Sequence, residues 1–103
     1  MRGRPARMRL RLTSRAQIDI AELVEFGVEQ FGEGHAGTYL DRIEERFRLL
    51  LEQPEIGRAE PELHHRARSF PSGSHRIYYS IDGDTITIRR ILHKARDVAR
   101  WME

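Results

Sequence analysis

Apolar and polar positions along this chain fall into two rhythms, and the change between them marks most of the elements. Arg9-Leu10-Arg11-Leu12 alternates with the two-residue period of a half-buried strand. Ser14 with Gln17 three residues later matches a capping box, in which each side chain satisfies the other's exposed backbone N–H. A helix is predicted from there. Ile20, Leu23, Val24, Gly27, Val28 and Phe31 lie on one flank, with Asp19, Glu22, Glu25 and Glu29 elsewhere, and Gly32 and Gly34 end it. A second helix is predicted from Ala36 to Glu52. Its stripe of Ala36, Tyr39, Leu40, Ile43, Phe47, Leu50 and Leu51 is the most regular in the chain. Pro54 stops it, because proline cannot continue the hydrogen-bond ladder. Two helices joined by a few glycine-rich residues predict an antiparallel hairpin.

Beyond residue 54 the rhythm becomes that of strands. Residues 54–62 read as a loop with two prolines and a glycine, and Leu63 to Phe70 as a strand with imperfect alternation. Pro71-Ser72-Gly73 turns the chain into the stretch 75–97, which organises the rest: two strands around a tight turn, then a charged run into a short helix over 94–102. Asp82-Gly83 is a strong hairpin-turn signal. With the turn centred there, Tyr79 faces Ile86 and Ile77 faces Ile88, while Tyr78 faces Thr87 and Arg76 faces Arg89 on the opposite side. Like charges set opposite each other destabilise a sheet, so two facing arginines imply either an anionic partner supplied from outside or side chains splayed into water. The alternation then falters, with Arg90 on the core side, and a bulge or strand end near Arg90 is expected.

The predicted fold class is α+β: an antiparallel sheet of three to four strands, an N-terminal helical hairpin on one face, and a short C-terminal helix. Length supports a single domain over residues 8–103, with 1–7 as a flexible basic arm. No apolar run approaches a membrane span, and no apolar segment follows the basic start, so neither an anchor nor a secretory signal is expected. Cysteine is absent, which excludes disulfides and thiolate–zinc sites and fits the cytoplasm. The net charge of +2 hides a segregation. Residues 1–15 hold six arginines and no acid, residues 16–62 twelve acids against four arginines, and residues 63–103 eight basic residues against four acids. A basic sheet beside an acidic helical layer suits an anionic partner on one side only.

Few residues offer chemistry. There is no phosphate-binding glycine loop and no paired-histidine zinc motif. His64 and His65 are adjacent on a predicted strand and point to opposite faces, so no metal is expected, and no cofactor. The serines lack the flanking pattern of an activated nucleophile. What remains is a cluster on the sheet: Arg66, Arg68, Arg76, Arg89 and His93, with Arg96 just beyond. Arginines beside a histidine can bind phosphate and move a proton, and the same set can instead dock an acidic protein surface.

From Met8 onward the chain resembles the ParE family of bacterial toxins, within the wider RelE/ParE superfamily. The likeness rests on the stretches 8–26, 51–70 and 75–97. Its most specific parts are Pro54-x-Ile56-Gly57-Arg58, Arg68-Ser69-Phe70, and Ile91-Leu92-His93 before Arg96-Asp97. The resemblance implies a toxin neutralised by a cognate, DNA-binding, ParD-like antitoxin, with DNA gyrase as the expected target and growth arrest as the outcome. Specific DNA contact by the toxin itself is not expected. The target-binding candidates are Arg68, Arg76, Arg89, His93, Lys94, Arg96, Arg100 and Trp101. The antitoxin-binding candidates are Leu23, Phe26, Tyr39, Phe47, Arg66 and Tyr78. Two alternatives stand beside gyrase inhibition: a ribosome-dependent endoribonuclease using Arg68, Arg76 and His93, or an inactive antitoxin-binding module. The fold is common to both activities and does not choose between them. The chain's only lysine is Lys94, after the last strand, and no tyrosine follows it. The resemblance implies that message-cutting relatives carry basic residues, often lysines, on the central strands and a Tyr or His near the C-terminus as acid or base. The missing lysines and tyrosine favour gyrase inhibition, and Arg68, Arg76 and His93 keep cleavage open as the alternative.

Overall fold

The computed structural model describes residues 7–64 and 66–94. The first strand, β1 (Arg9–Leu12), leads directly into helix α1 (Ser14–Phe31). The cap is Thr13, not Ser14. Its hydroxyl accepts from the Ala16 N–H at 3.0 Å and donates to the Arg89 carbonyl at 2.9 Å, tying the start of the helix to the last strand. The strand ends at Leu12 as its alternation predicts, and the helix begins one residue earlier than a Ser14 cap allows. Gly32, at φ 90°, ends α1 with its N–H on the Val28 carbonyl, and helix α2 (Glu33–Glu52) starts at the next residue. The hairpin link is therefore one glycine, and Gly34 lies inside the second helix. The α2 stripe behaves as its spacing predicts, with Ala36, Ile43, Phe47 and Leu50 buried. The α1 flank does not. Only Ala16 and Asp19 are buried there, and Phe31 is exposed.

A 3-10 turn (Pro54–Ile56) and the two-residue strand β2 (Arg58–Ala59) follow. Strands β3 (Ala67–Ser72), β4 (His75–Asp82) and β5 (Thr85–His93) complete a five-stranded sheet in the order β1-β5-β4-β3-β2. The α+β class holds. The sheet is mixed rather than wholly antiparallel, because β1 pairs with β5 in parallel. The extra strand is β2, whose two residues are too few to leave an alternation signal. Strand β3 begins at Ala67, four residues later than the sequence pattern places it, so His64 precedes the strand; His65 and the helix expected over 94–102 lie outside the described residues. Pro71 sits within β3 where only β4 flanks it, a position that tolerates a missing N–H. No helix among the described residues is long and apolar enough to cross a membrane.

The β4–β5 hairpin corrects the expected register in two steps. Its turn is Gly83-Asp84, with Gly83 at φ 60° in the first central position. Moving every partner by two residues keeps each side chain on its face, so Tyr79 now opposes Ile88 and Ile81 opposes Ile86. Beyond Tyr79 a bulge appears: Tyr78 opposes Arg90, leaving Arg89 as the extra residue. Arg76 therefore faces Leu92, and the expected Arg76–Arg89 opposition does not form. The bulge returns Ile91 to the interior opposite Ile77. The core between helices and sheet joins Ala16, Ile43, Phe47 and Leu50 to Ile77, Tyr79, Ile86, Ile88 and Ile91.

The β3–β4 turn depends on Gly73, also at φ 60°. A Cβ there would lie 2.7 Å from the Tyr39 ring, whereas one at Gly83, with the same φ, meets nothing within 4 Å. Gly73→Ala combines backbone strain with a clash and is expected to cost about 2–4 kcal/mol, against about 1–2 for Gly83→Ala. Urea unfolding of the two variants side by side checks the difference; equal losses would mean that Tyr39 moves aside freely.

Candidate functional site

Asp19 sits on the buried stripe of α1, and beside it β5 runs past the end of β1 with its edge unpaired by that strand. Its carboxylate fills this gap. It accepts from Arg90 Nε at 2.8 Å, from Arg90 Nη2 at 3.0 Å, and from the Ile91 N–H at 2.9 Å. Both side chains of the pair are only 7% exposed. The Asp19 hydrogen bonds hold Arg90 above its ordinary pKa against the opposing effect of burial, so the charge is permanent.

Around this pair opens a groove of about 1230 Å³, bounded by α1, the start of α2, and the Arg90–His93 end of β5. Its apolar wall is Leu23, Phe26 and Phe31, of which Phe26 and Phe31 are 60% and 66% exposed. Arg15, Glu22 and His35 bring polar groups to the same groove. At its other side Tyr39 holds the β3–β4 turn. Its hydroxyl donates to the Ser72 carbonyl at 2.8 Å and accepts from the Ser74 N–H at 3.1 Å. It has one proton, so the 2.7 Å contact with His75 Nδ1 requires the histidine to donate. The His75 ring meets the His93 ring edge-on, with centroids 5.5 Å apart. Burial and the neighbouring His93 depress the His75 pKa, with Asp19 acting the other way, which favours a neutral ring.

The sheet face turned away from the helices carries a different set. Glu60 accepts from Arg58 at 2.9 and 3.0 Å and from the Ser69 hydroxyl at 2.6 Å, and that hydroxyl accepts from Arg76 Nε at 2.9 Å. Burial raises the Glu60 pKa, but the bonds from Ser69 and Arg58 outweigh it and leave the carboxyl below its ordinary value. An unfolded Glu60 takes up a proton more readily, so its contribution to stability is present above about pH 4.3, its ordinary value, and is lost as pH falls through the lower folded value. Glu60→Gln should thus destabilise at pH 6 and lose its effect towards pH 3. Urea midpoints of both proteins across that range test this; a constant gap would remove Glu60 from the linkage.

Of the six antitoxin-binding candidates, the structure brings Leu23, Phe26 and Tyr39 together in the groove. Phe47 is a core residue, Tyr78 is buried in the sheet, and Arg66 is paired with Asp82 at 2.7 Å. The target-binding candidates also divide. Arg68 pairs with Tyr79 in the β3–β4 register and Arg76 lies three residues back on β4, so the two arginines point to opposite faces. Arg68 donates to the Glu55 and Gly57 carbonyls at 3.2 and 2.7 Å. Arg89 is exposed at the bulge, His93 lines the groove, and Lys94 is exposed beyond β5 with its N–H on the Ser74 carbonyl. Arg96, Arg100 and Trp101 lie outside the described residues. The sequence pattern missed the Asp19–Arg90 pair, His75, and the Arg58–Glu60–Ser69 set. Only the first left a signal, an arginine at a core position of β5; Asp19 reads as one of the polar positions of α1 and is found buried only in the fold.

The motifs behind the family resemblance have structural work. The loop from Pro54 to Arg58 is held by the Tyr79 hydroxyl, which donates to the Pro54 carbonyl at 2.6 Å and accepts from the Gly57 N–H at 3.0 Å. Arg68 adds its bonds to the same loop, Ser69 anchors Glu60, and Phe70 packs on the core with the Arg46 guanidinium 5.7 Å from its ring centre.

Comparison with known proteins agrees with this architecture. Residues 10–98 match the family described as the ParE toxin of the type II toxin–antitoxin system parDE. Toxin ParE1 of Mycobacterium tuberculosis is 31% identical over 90 residues, covering 86% of this chain and 92% of that protein. Toxin ParE1 of Caulobacter vibrioides is 27% identical over 85 residues, covering 82% and 88%. Among solved structures, a chain of the chromosomal ParDE system of Pseudomonas aeruginosa superposes with a TM-score of 0.72 at 22% identity, covering 84% of this chain and 95% of that one. The RelBE2 toxin–antitoxin complex of M. tuberculosis has the same fold more distantly, with a TM-score of 0.58 at 22% identity over 85% and 99%. With a family match across most of its length and a relative above 30% identity, the chain belongs to the ParE toxins of type II toxin–antitoxin systems.

Proposed function

We propose that this protein is the toxin of a toxin–antitoxin pair, that it inhibits DNA gyrase by binding rather than by catalysis, and that a ParD-like antitoxin silences it. The carrying observation is the groove beside α1. Two phenylalanines more than half exposed, over a wall that ends in a buried ion pair, form a surface suited to the apolar face of a partner helix. The antitoxin's C-terminal part, helical and then extended, lies there. The related M. tuberculosis structure is itself a toxin–antitoxin complex, which supports a partner of this kind.

The division of the arginines favours binding over cleavage. A nuclease built on Arg68, Arg76 and His93 needs all three around one phosphate, and Arg68 and Arg76 project from opposite faces. Target contacts are assigned to the end of β5, through His93 and Lys94, and to Arg96, Arg100 and Trp101 in the sequence that follows. Supercoiling by purified gyrase tests the activity: the toxin should inhibit it, and unchanged supercoiling without a trapped cleavage complex at large excess would refute gyrase as the target. Phe26→Glu with Phe31→Glu tests the groove, since it should weaken antitoxin binding while leaving gyrase inhibition in place.

A further inference from the structure

The parallel pairing of β1 with β5 produces a feature that neither strand shows alone. Leu10 and Leu12 border the helices, so Arg9 and Arg11 project from the other face, beside Thr85 and Thr87 of β5. Continuing that face along β5 gives Arg89, diagonal to Arg11, with its backbone carbonyl held by Thr13. Three arginines thus form a row along one border of the sheet. Arg11 and Arg89 are exposed and make no ion pair among the described residues, and Arg9, 78% exposed, shares a 3.7 Å contact with Asp84. By contrast Arg58, Arg66 and Arg90 are each matched to a carboxylate.

We propose that this row binds the phosphodiester backbone of nucleic acid. The occupant is argued from what surrounds the arginines. A protein partner needs a buried apolar centre inside its polar rim. Among the described residues the exposed large apolar side chains are Leu10, Ile18, Phe26, Val28, Phe31 and Ile56, which belong to the helical side, the helices or the 3-10 turn; none of these lies on this face. The neighbours of the row are threonines and, at the Arg9 end, the Asp84 carboxylate, and its long, flexible cations suit a repeating anion that requires no dry contact. Binding through phosphates alone carries no sequence preference, so it is compatible with a toxin that reads no specific DNA site. The inference is independent of the gyrase reading and of the groove.

Fluorescence anisotropy of the full chain with labelled mixed-sequence duplex DNA, and separately with single-stranded RNA, tests it. Three phosphate contacts predict a log–log salt slope of about −2.7 on duplex and about −2.1 on single strands. Arg11→Ala with Arg89→Ala should shallow the slope by about one unit per arginine, while Arg42→Ala on α2 leaves it unchanged. The same loss on both probes assigns the row to phosphodiester in general, and a loss on one probe names the source. No binding at low salt, or a double variant indistinguishable from Arg42→Ala, overturns the proposal. So does a pull-down in which the double variant loses gyrase while nucleic-acid binding is unchanged.

Discussion

Asp19→Ala is expected to destabilise the protein by about 3–5 kcal/mol, the usual cost of breaking a buried ion pair from one side. The carboxylate serves two groups at once. It balances the Arg90 guanidinium through two hydrogen bonds, and it terminates the edge of β5 by accepting the Ile91 N–H. Alanine removes the charge that Arg90 faces and the acceptor that the sheet edge needs. Against a total of about 5–15 kcal/mol for a domain, that loss is severe. Asp19→Asn should fall between, because its amide oxygen can still accept from Ile91 but cannot match the charge. A combined Asp19→Leu and Arg90→Met change should be milder than Asp19→Ala alone, since apolar replacements avoid stranding a charge. Urea unfolding of the three variants measures the series. A change within about 0.5 kcal/mol for Asp19→Ala would show that the pair is not structural.

This pair also shows which parts of the molecule the sequence could reveal. Periodicity found α2 almost completely, because four of its seven stripe residues are buried and the other three line its borders. It found the inward face of the hairpin as far as Ile88, since a two-residue shift of the turn leaves those side chains on their original face; beyond the bulge Ile91 is returned to the interior. It failed where a position does two jobs. Asp19 falls among the polar positions of α1 and Arg90 breaks the alternation of β5, and neither explains itself until a tertiary contact joins them. The basic cluster on the sheet failed for a related reason. Alternation along a single strand was counted correctly, but the face of Arg68 relative to Arg76 depends on the β3–β4 register, and the opposition of Arg76 and Arg89 on a bulge. Neither is a local property. The groove is half legible in the sequence: Leu23, Phe26 and Tyr39 read as docking candidates, but Phe31 reads as part of the packed flank of α1, and no sequence pattern announces His75.

Tyr79→Ala should be the most damaging substitution in the central strand, at about 3–5 kcal/mol from lost packing alone. The side chain is fully buried, and its hydroxyl sits between the Pro54 carbonyl and the Gly57 N–H. Tyr79→Phe isolates that hydroxyl and is expected to cost about 1–3 kcal/mol, because two buried backbone groups lose their partner. Gly57 supplies the complementary test. Its φ of −74° is open to any residue, so glycine is required for space: a Cβ would come within 2.5 Å of the Tyr79 hydroxyl and 2.8 Å of the Ser69 carbonyl. Gly57→Ala therefore costs about 1–3 kcal/mol through overpacking. The two changes release the same loop, so together they should cost less than their sum. Hydrogen exchange distinguishes the lock from simple packing. In Tyr79→Phe the Gly57 amide should exchange faster at a pH where the protein remains folded, while amides of α2 keep their protection. Equal acceleration in both places would mean that the hydroxyl stabilises the whole domain and does not specifically hold the loop to which Arg68 is tied.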